Sequence, residues 1–195
     1  KLGAFTVAET SIQTFVVEFG LRHALTYNPG PERYILKPRG VRVVGLEDAA
    51  SLGGVVDLDA VHADSSCSGK VDQTVGNVAY LYAGHGLATD LLGDVFVRED
   101  ASLEDVEFDP DVPADTIAPV AATSITTDSG EYLFSYLFPG DYTLAITCLA
   151  ENDDPVIHDQ IIIPSPSTEV IELSIGNEED AVCNFPLDDG FCASE

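Results

Sequence analysis

Hydrophobic and polar positions alternate with a period of two along several short runs of this chain, most clearly between residues 126 and 148. There Tyr132, Phe134, Tyr136 and Phe138 alternate with smaller or more polar residues, and after Pro139-Gly140-Asp141 the alternation resumes at Tyr142, Leu144, Ile146 and Cys148. The pattern predicts two strands half-buried on one face, and the Pro-Gly pair predicts a tight reversal that makes them a β-hairpin with its aromatic face in the core. Asp128-Ser129-Gly130 predicts the turn that feeds it, because glycine takes up a positive φ that other residues adopt only at a cost.

Weaker alternation predicts the remaining strands. Phe5 to Val7 and Gln13 to Phe19 read as extended, the second with Phe15, Val17 and Phe19 on one face and Thr14, Val16 and Glu18 on the other. Leu21 to Leu25 fits one helical turn, Asn28 to Pro31 a loop, and Tyr34 to Pro38 with Val41 to Gly45 a further extended segment. Further strands are expected at Gly53 to Asp59, Val71 to Ala83, Asp94 to Val97, Val120 to Thr127, Val156 to Ile163 and Thr168 to Ile175. No helix longer than two turns and no internal repeat is evident. Residues 84–118 are the least regular and most acidic, and a connection of that length is usually functional or flexible.

Two resemblances rest on these residues. The run from Thr126 through Gly130, Tyr132 and Phe134 to Leu137, Pro139-Gly140, Tyr142 and Leu144 resembles the signature of carboxypeptidase regulatory-like, prealbumin-like and Cna-B-like domains. It implies an all-β, seven-stranded Ig-like/prealbumin-like β-sandwich and no particular chemistry, since such domains serve as spacers, stalks, pilin modules and binding modules. The stretch from Phe15 to Val44 is similar to the closing strands of a bacterial domain of unknown function found in exported lipoproteins, with Gly20 where that pattern has an aspartate. The domains expected are therefore a partial strand unit at 1–48, a regulatory-like sandwich at 49–176 and a disulfide-closed tail at 177–195.

A partial unit has a physical consequence. A few amphipathic strands leave unpaired N–H and C=O groups at their edges and are marginal alone, so they need a partner. The sandwich of the same chain, a bound fragment or a neighbouring subunit receiving the strands by β-augmentation would each serve. The last would propagate into a fibre, because a head-to-tail contact that does not close repeats. Phe15, Val17, Phe19, Tyr34 and Leu36 are the contact residues expected for a homo-oligomer or homopolymer.

Composition narrows the setting. The 195 residues are 45% hydrophobic, enough for a real core, yet 34 acidic residues against 8 basic give a formal charge of −26. Such a field disfavours nucleic acid and anionic membranes as partners. The chain begins at Lys1 and contains no methionine; a mature, exported and trimmed protein is expected, at the cell surface or secreted, with any lipid anchor upstream of Lys1. No apolar run reaches the ~20 residues of a membrane span. The four cysteines allow three pairings. Cys67 precedes a strand and Cys148 ends the central pair, which favours Cys67–Cys148 and Cys183–Cys192 over free buried thiols and implies an oxidising compartment.

Candidate chemistry is sparse. Histidines 23, 62, 85 and 158 show no metal spacing, and nothing resembling a nucleophile elbow is present, so no enzyme is expected. Lys70 stands where Cna-B-like domains begin an isopeptide bond, but the acid that would catalyse it is missing from Tyr142 to Cys148. Calcium is the one cofactor considered: Glu151, Asp153 and Asp154 form one acidic loop and Asp109, Asp111 and Asp115 another, and hard cations take such oxygens. The expected function is a non-enzymatic structural module at the surface, assembling into filaments or pilus-like structures by strand complementation. The alternative is a calcium- or glycan-binding module of a surface lipoprotein.

Overall fold

The computed structural model describes residues 14–21, 25–28, 30–36, 41–95, 112–154, 157–186 and 192–194. The strand expected at Phe5 to Val7, most of the helical turn at Leu21 to Leu25, and Asp109 and Asp111 lie outside these residues. Within them the chain is nearly all β.

The N-terminal strands form a ribbon. β1 (Phe15–Phe19) pairs antiparallel with β4 (Val41–Gly45), and β2 (Leu25–Asn28) pairs antiparallel with β3 (Arg33–Leu36). Phe19 faces Val41 in the first ladder and Leu25 faces Leu36 in the second. Neither ladder has a third strand among the described residues.

From Ala50 onward two four-stranded sheets pack across one core. β5 (Ala50–Val55) runs into the short helix α1 (Leu58–Ala63), which Asp57 caps by accepting a hydrogen bond from Ala60 N at 3.1 Å. β6 (Val78–Ala83), β7 (Ala121–Ser124), β8 (Glu131–Leu137), β9 (Gly140–Thr147), β10 (Val170–Ile175), β11 (Asp180–Val182) and β12 (Ala193–Ser194) follow. One sheet has the order β10-β9-β6-β7 and the other β12-β11-β5-β8. Leu52, Val56, Tyr132 and Phe134 of the second sheet meet Ala79, Leu81, Leu144 and Ile146 of the first.

The structure corrects the expected hairpin at Pro139-Gly140. β8 pairs with β5 and β9 with β6 and β10, so the two strands belong to facing sheets and the Pro-Gly corner carries the chain from one sheet to the other. Alternation identifies the buried face of a strand, not its neighbour, and two strands that bury side chains into one core from opposite sides read alike. The aromatic face is also interrupted. Leu52 faces Phe134 but Ala50 faces Leu137, so a β-bulge at Ser135 and Tyr136, the latter at φ 56°, shifts the phase by one residue. Leu137 turns inward in place of Tyr136, and Tyr136 and Phe138 are exposed.

Strands β6 and β9 are buried on both faces, which alternation did not predict. On the outer face Val78, Tyr80, Tyr82 and Ala145 form a second apolar cluster with Leu92, Ala150 and Ile163, so the loops at 84–95, 112–119 and 150–165 act as a third layer. The expected strands at Asp94 to Val97 and Val156 to Ile163 are part of this layer: their described residues are bends and loop, because their apolar side chains cover a sheet face instead of joining a ladder. The expected strand at Val71 to Ala83 is real only from Val78. Asp94 is wholly buried where two of these loops meet, accepting a hydrogen bond from Ile161 N at 3.0 Å and lying 2.9 Å from His158 Nδ1.

Residues 177–186 are not a separate tail. β11 runs parallel to β5, and Cys183 and Phe185 are buried in the main core, so the second sheet extends past the expected boundary at 176. Disulfides join Cys67 to Cys148 and Cys183 to Cys192. Gly130 sits at φ 69°, and a Cβ there would meet the Val56 carbonyl, which accepts no side chain at that approach. Gly130→Ala is expected to cost about 1–3 kcal/mol of strain, read from the midpoint of urea unfolding.

Candidate assembly surface

Opposed residues in an antiparallel pair share a face, so β1 and β4 sort into two. One face carries Val16, Glu18, Arg42 and Val44. It is turned to the sheets: Val44 is buried, Arg42 pairs with Glu18, and its guanidinium donates to the Ser135 carbonyl at 2.7 Å, at the bulge of β8. The other face carries Phe15, Val17, Phe19, Val41 and Val43. It looks outward, with Val17 51% and Phe19 48% exposed. In the β2–β3 half, Leu25 and Leu36 share a face on which Tyr34 is 67% and Leu36 47% exposed. A contiguous apolar face turned to water is a feature of binding and interaction sites. All five residues expected at a subunit contact thus lie on the ribbon, and Val17, Phe19, Tyr34 and Leu36 are exposed there, with Phe15 half-buried.

Charge divides along the same boundary. Between residues 15 and 45 stand Arg22, Arg33, Lys37, Arg39 and Arg42, five of the eight basic residues of the chain, against Glu18 and Glu32. The ribbon segment therefore carries +3 and the remainder −29. This split was legible in the sequence and passes unnoticed when only the total is read.

Asp109 and Asp111 lie outside the described residues, and the described calcium candidates do not gather at one point. Glu151 lies 3.5 Å from Lys70 Nζ, Asp153 accepts from the Tyr80 hydroxyl, the Asp154 amide donates to Asp159, and Asp115 is exposed elsewhere. Among the described residues no three histidines, cysteines or carboxylates gather to hold a metal. The Lys70 ammonium is nearly buried and donates to the carbonyls of Val75 and Cys148, so it secures the loop beside the long disulfide. The described histidines have structural partners: His62 meets Asn77, His85 the Leu173 carbonyl and His158 Asp94.

An open cleft of ≈ 580 Å³ lies where Asp57, Asp59 and Asp128 surround Val55, Phe185 and Pro186. It is acidic and wide. Burial raises the Tyr132 hydroxyl pKa well above the ordinary tyrosine value, and that hydroxyl donates to the Cys183 carbonyl, so it acts as a core hydrogen-bond donor. No helix among the described residues is long and apolar enough to cross a membrane. Compared with known protein families, curated proteins and solved structures, the chain matches none of them.

Proposed function

We propose that this protein is a non-enzymatic structural module of the cell surface or extracellular space, whose ribbon at 15–45 docks on a second copy of the chain and builds a filament or pilus-like assembly. The ribbon, with its outward apolar face and no third strand among the described residues, carries this reading. A two-stranded ribbon is marginal by itself, and burying that face on another copy removes both its exposed apolar surface and an unpaired edge. The +3 segment offers a local contact for the −29 body of another copy, against the net repulsion of two −26 chains. The two disulfides suit an oxidising compartment. A prealbumin-like, regulatory-like sandwich is the fold we assign to the body: without the two-residue β12 its sheets hold seven strands, with the parallel β5–β11 pairing as a variation.

Self-association of the purified chain, followed by sedimentation velocity over rising concentration, tests this reading. Wild type is expected to associate, and Val17→Glu with Phe19→Glu to remain monomeric at the same concentrations with unchanged thermal unfolding. A wild type that stays monomeric throughout overturns the proposal.

A further inference from the structure

We infer that the acceptor for the ribbon is the free edge of β10, to which β3 of a second copy adds as an antiparallel or parallel strand. This rests on the assembly reading above. The two sheets end in four edges, and three of them are blunted. β12 is two residues long. β8 is bent by the bulge, Arg42 occupies its Ser135 carbonyl, and Thr126 bonds both the amide and the carbonyl of Glu131. β7 has only four residues, and just before it Val120 N donates to the Leu81 carbonyl.

β10 differs on each count. Its six residues pair with β9 in unbroken register, from Val170 opposite Ala145 to Ile175 opposite Gly140. Ile146 N donates to the Glu169 carbonyl, so the alternation of an antiparallel ladder turns the backbone of Ile171 and Leu173 toward β9 and that of Glu172 and Ser174 away from it. Those outward N–H and C=O groups have no hydrogen-bond partner among the described residues. Lysine, proline and bulges, the usual devices that protect an edge, are missing from β10. Its charge suits the donor: Glu169 and Glu172, the latter accepting from Gly86 N, make this edge acidic, and the sequence from 33 to 45 holds Arg33, Lys37 and Arg39 besides the Glu18-bound Arg42 and no acidic residue. Burial, opposed by the Thr168 hydroxyl and reinforced by Asp64, pushes the Glu169 carboxyl above its ordinary value, a carboxylate that a neighbouring cation would stabilise. A contact from β3 of one copy to β10 of the next joins two different surfaces and therefore propagates.

Proline substitutions separate the edges. The Ser174 amide points away from β9, so Ser174→Pro removes an outward donor and keeps the main-chain ladder, with Ser174→Ala as control for the lost hydroxyl bond to Asp141; Ser124→Pro removes an outward donor on β7. With thermal unfolding as the folding control, Ser174→Pro is expected to raise the dissociation constant at least about tenfold, by loss of main-chain hydrogen bonds, and Ser124→Pro to leave it unchanged. Glu172→Lys serves if Ser174→Pro does not fold. Glu172→Lys and Arg33→Glu are each expected to weaken association, and the chain carrying both is expected to recover it. Ser174→Pro and Glu172→Lys that associate like wild type, while Val17→Glu with Phe19→Glu does not, overturn β10 as acceptor and leave the ribbon as donor. A wild type that never associates overturns both.

Discussion

Asp94→Ala is expected to destabilise the protein by about 3–5 kcal/mol, the cost of breaking a buried pair by removing one partner. The Asp94 side chain is wholly buried and holds Ile161 N and His158 together, so alanine takes the acceptor from a part-buried N–H and removes one contact of the imidazole at once. Asp94→Asn keeps an acceptor for Ile161 and is expected to lose less. Because Asp94 joins two loops of the outer layer, the loss begins locally: with Leu92 and Ile163 loosened, Val78, Tyr80 and Tyr82 lose their outer cover. Native-state hydrogen exchange reads this directly. The Ile161 amide is expected to exchange much faster in Asp94→Ala, and core amides of β9 to follow only as global stability falls. An unchanged Ile161 rate would show that Asp94 does not hold the layer.

Replacing both Cys67 and Cys148 by alanine is expected to have the second large effect. The link spans 81 residues, and chain-entropy reasoning gives about 4–5 kcal/mol for a loop of that size. For a chain of this length that corresponds to a fall in Tm of roughly 9–18 °C. Cys183–Cys192 spans only 9 residues and is expected to contribute about 3 kcal/mol. The long bridge ties the loop after α1 to the end of β9, where Lys70 also donates to the Cys148 carbonyl, so its loss loosens the C-terminal end of a buried strand. Thermal unfolding of the two double variants should rank them in this order. Equal melting temperatures would show that loop length does not govern the contribution.

Much of this architecture is legible in single residues. Alternation at Phe15, Val17 and Phe19 marks the outward face of the ribbon, and Gly130 marks a position where the backbone needs a positive φ. The continuous apolar run from Val78 to Tyr82 is itself the mark of a strand buried on both faces, which a period of two does not express. The acceptor residues Glu172 and Ser174 carried no signal, since an edge strand is defined by the neighbour it lacks.

The amino-acid sequence by itself determined that this protein is built of strands, that its cysteines can close it, and that a basic segment precedes a strongly acidic body. These are local and compositional properties, set by periodicity, turn residues and charge. Only the tertiary structure decided that the Pro139-Gly140 corner joins two sheets, that a bulge exposes Tyr136, that irregular loops form a third layer around Asp94, and which edge is left open. Each of those depends on which strand lies beside which. Pairing is chosen by the packing of the whole chain, and residue patterns within one strand are the same whichever neighbour it finds.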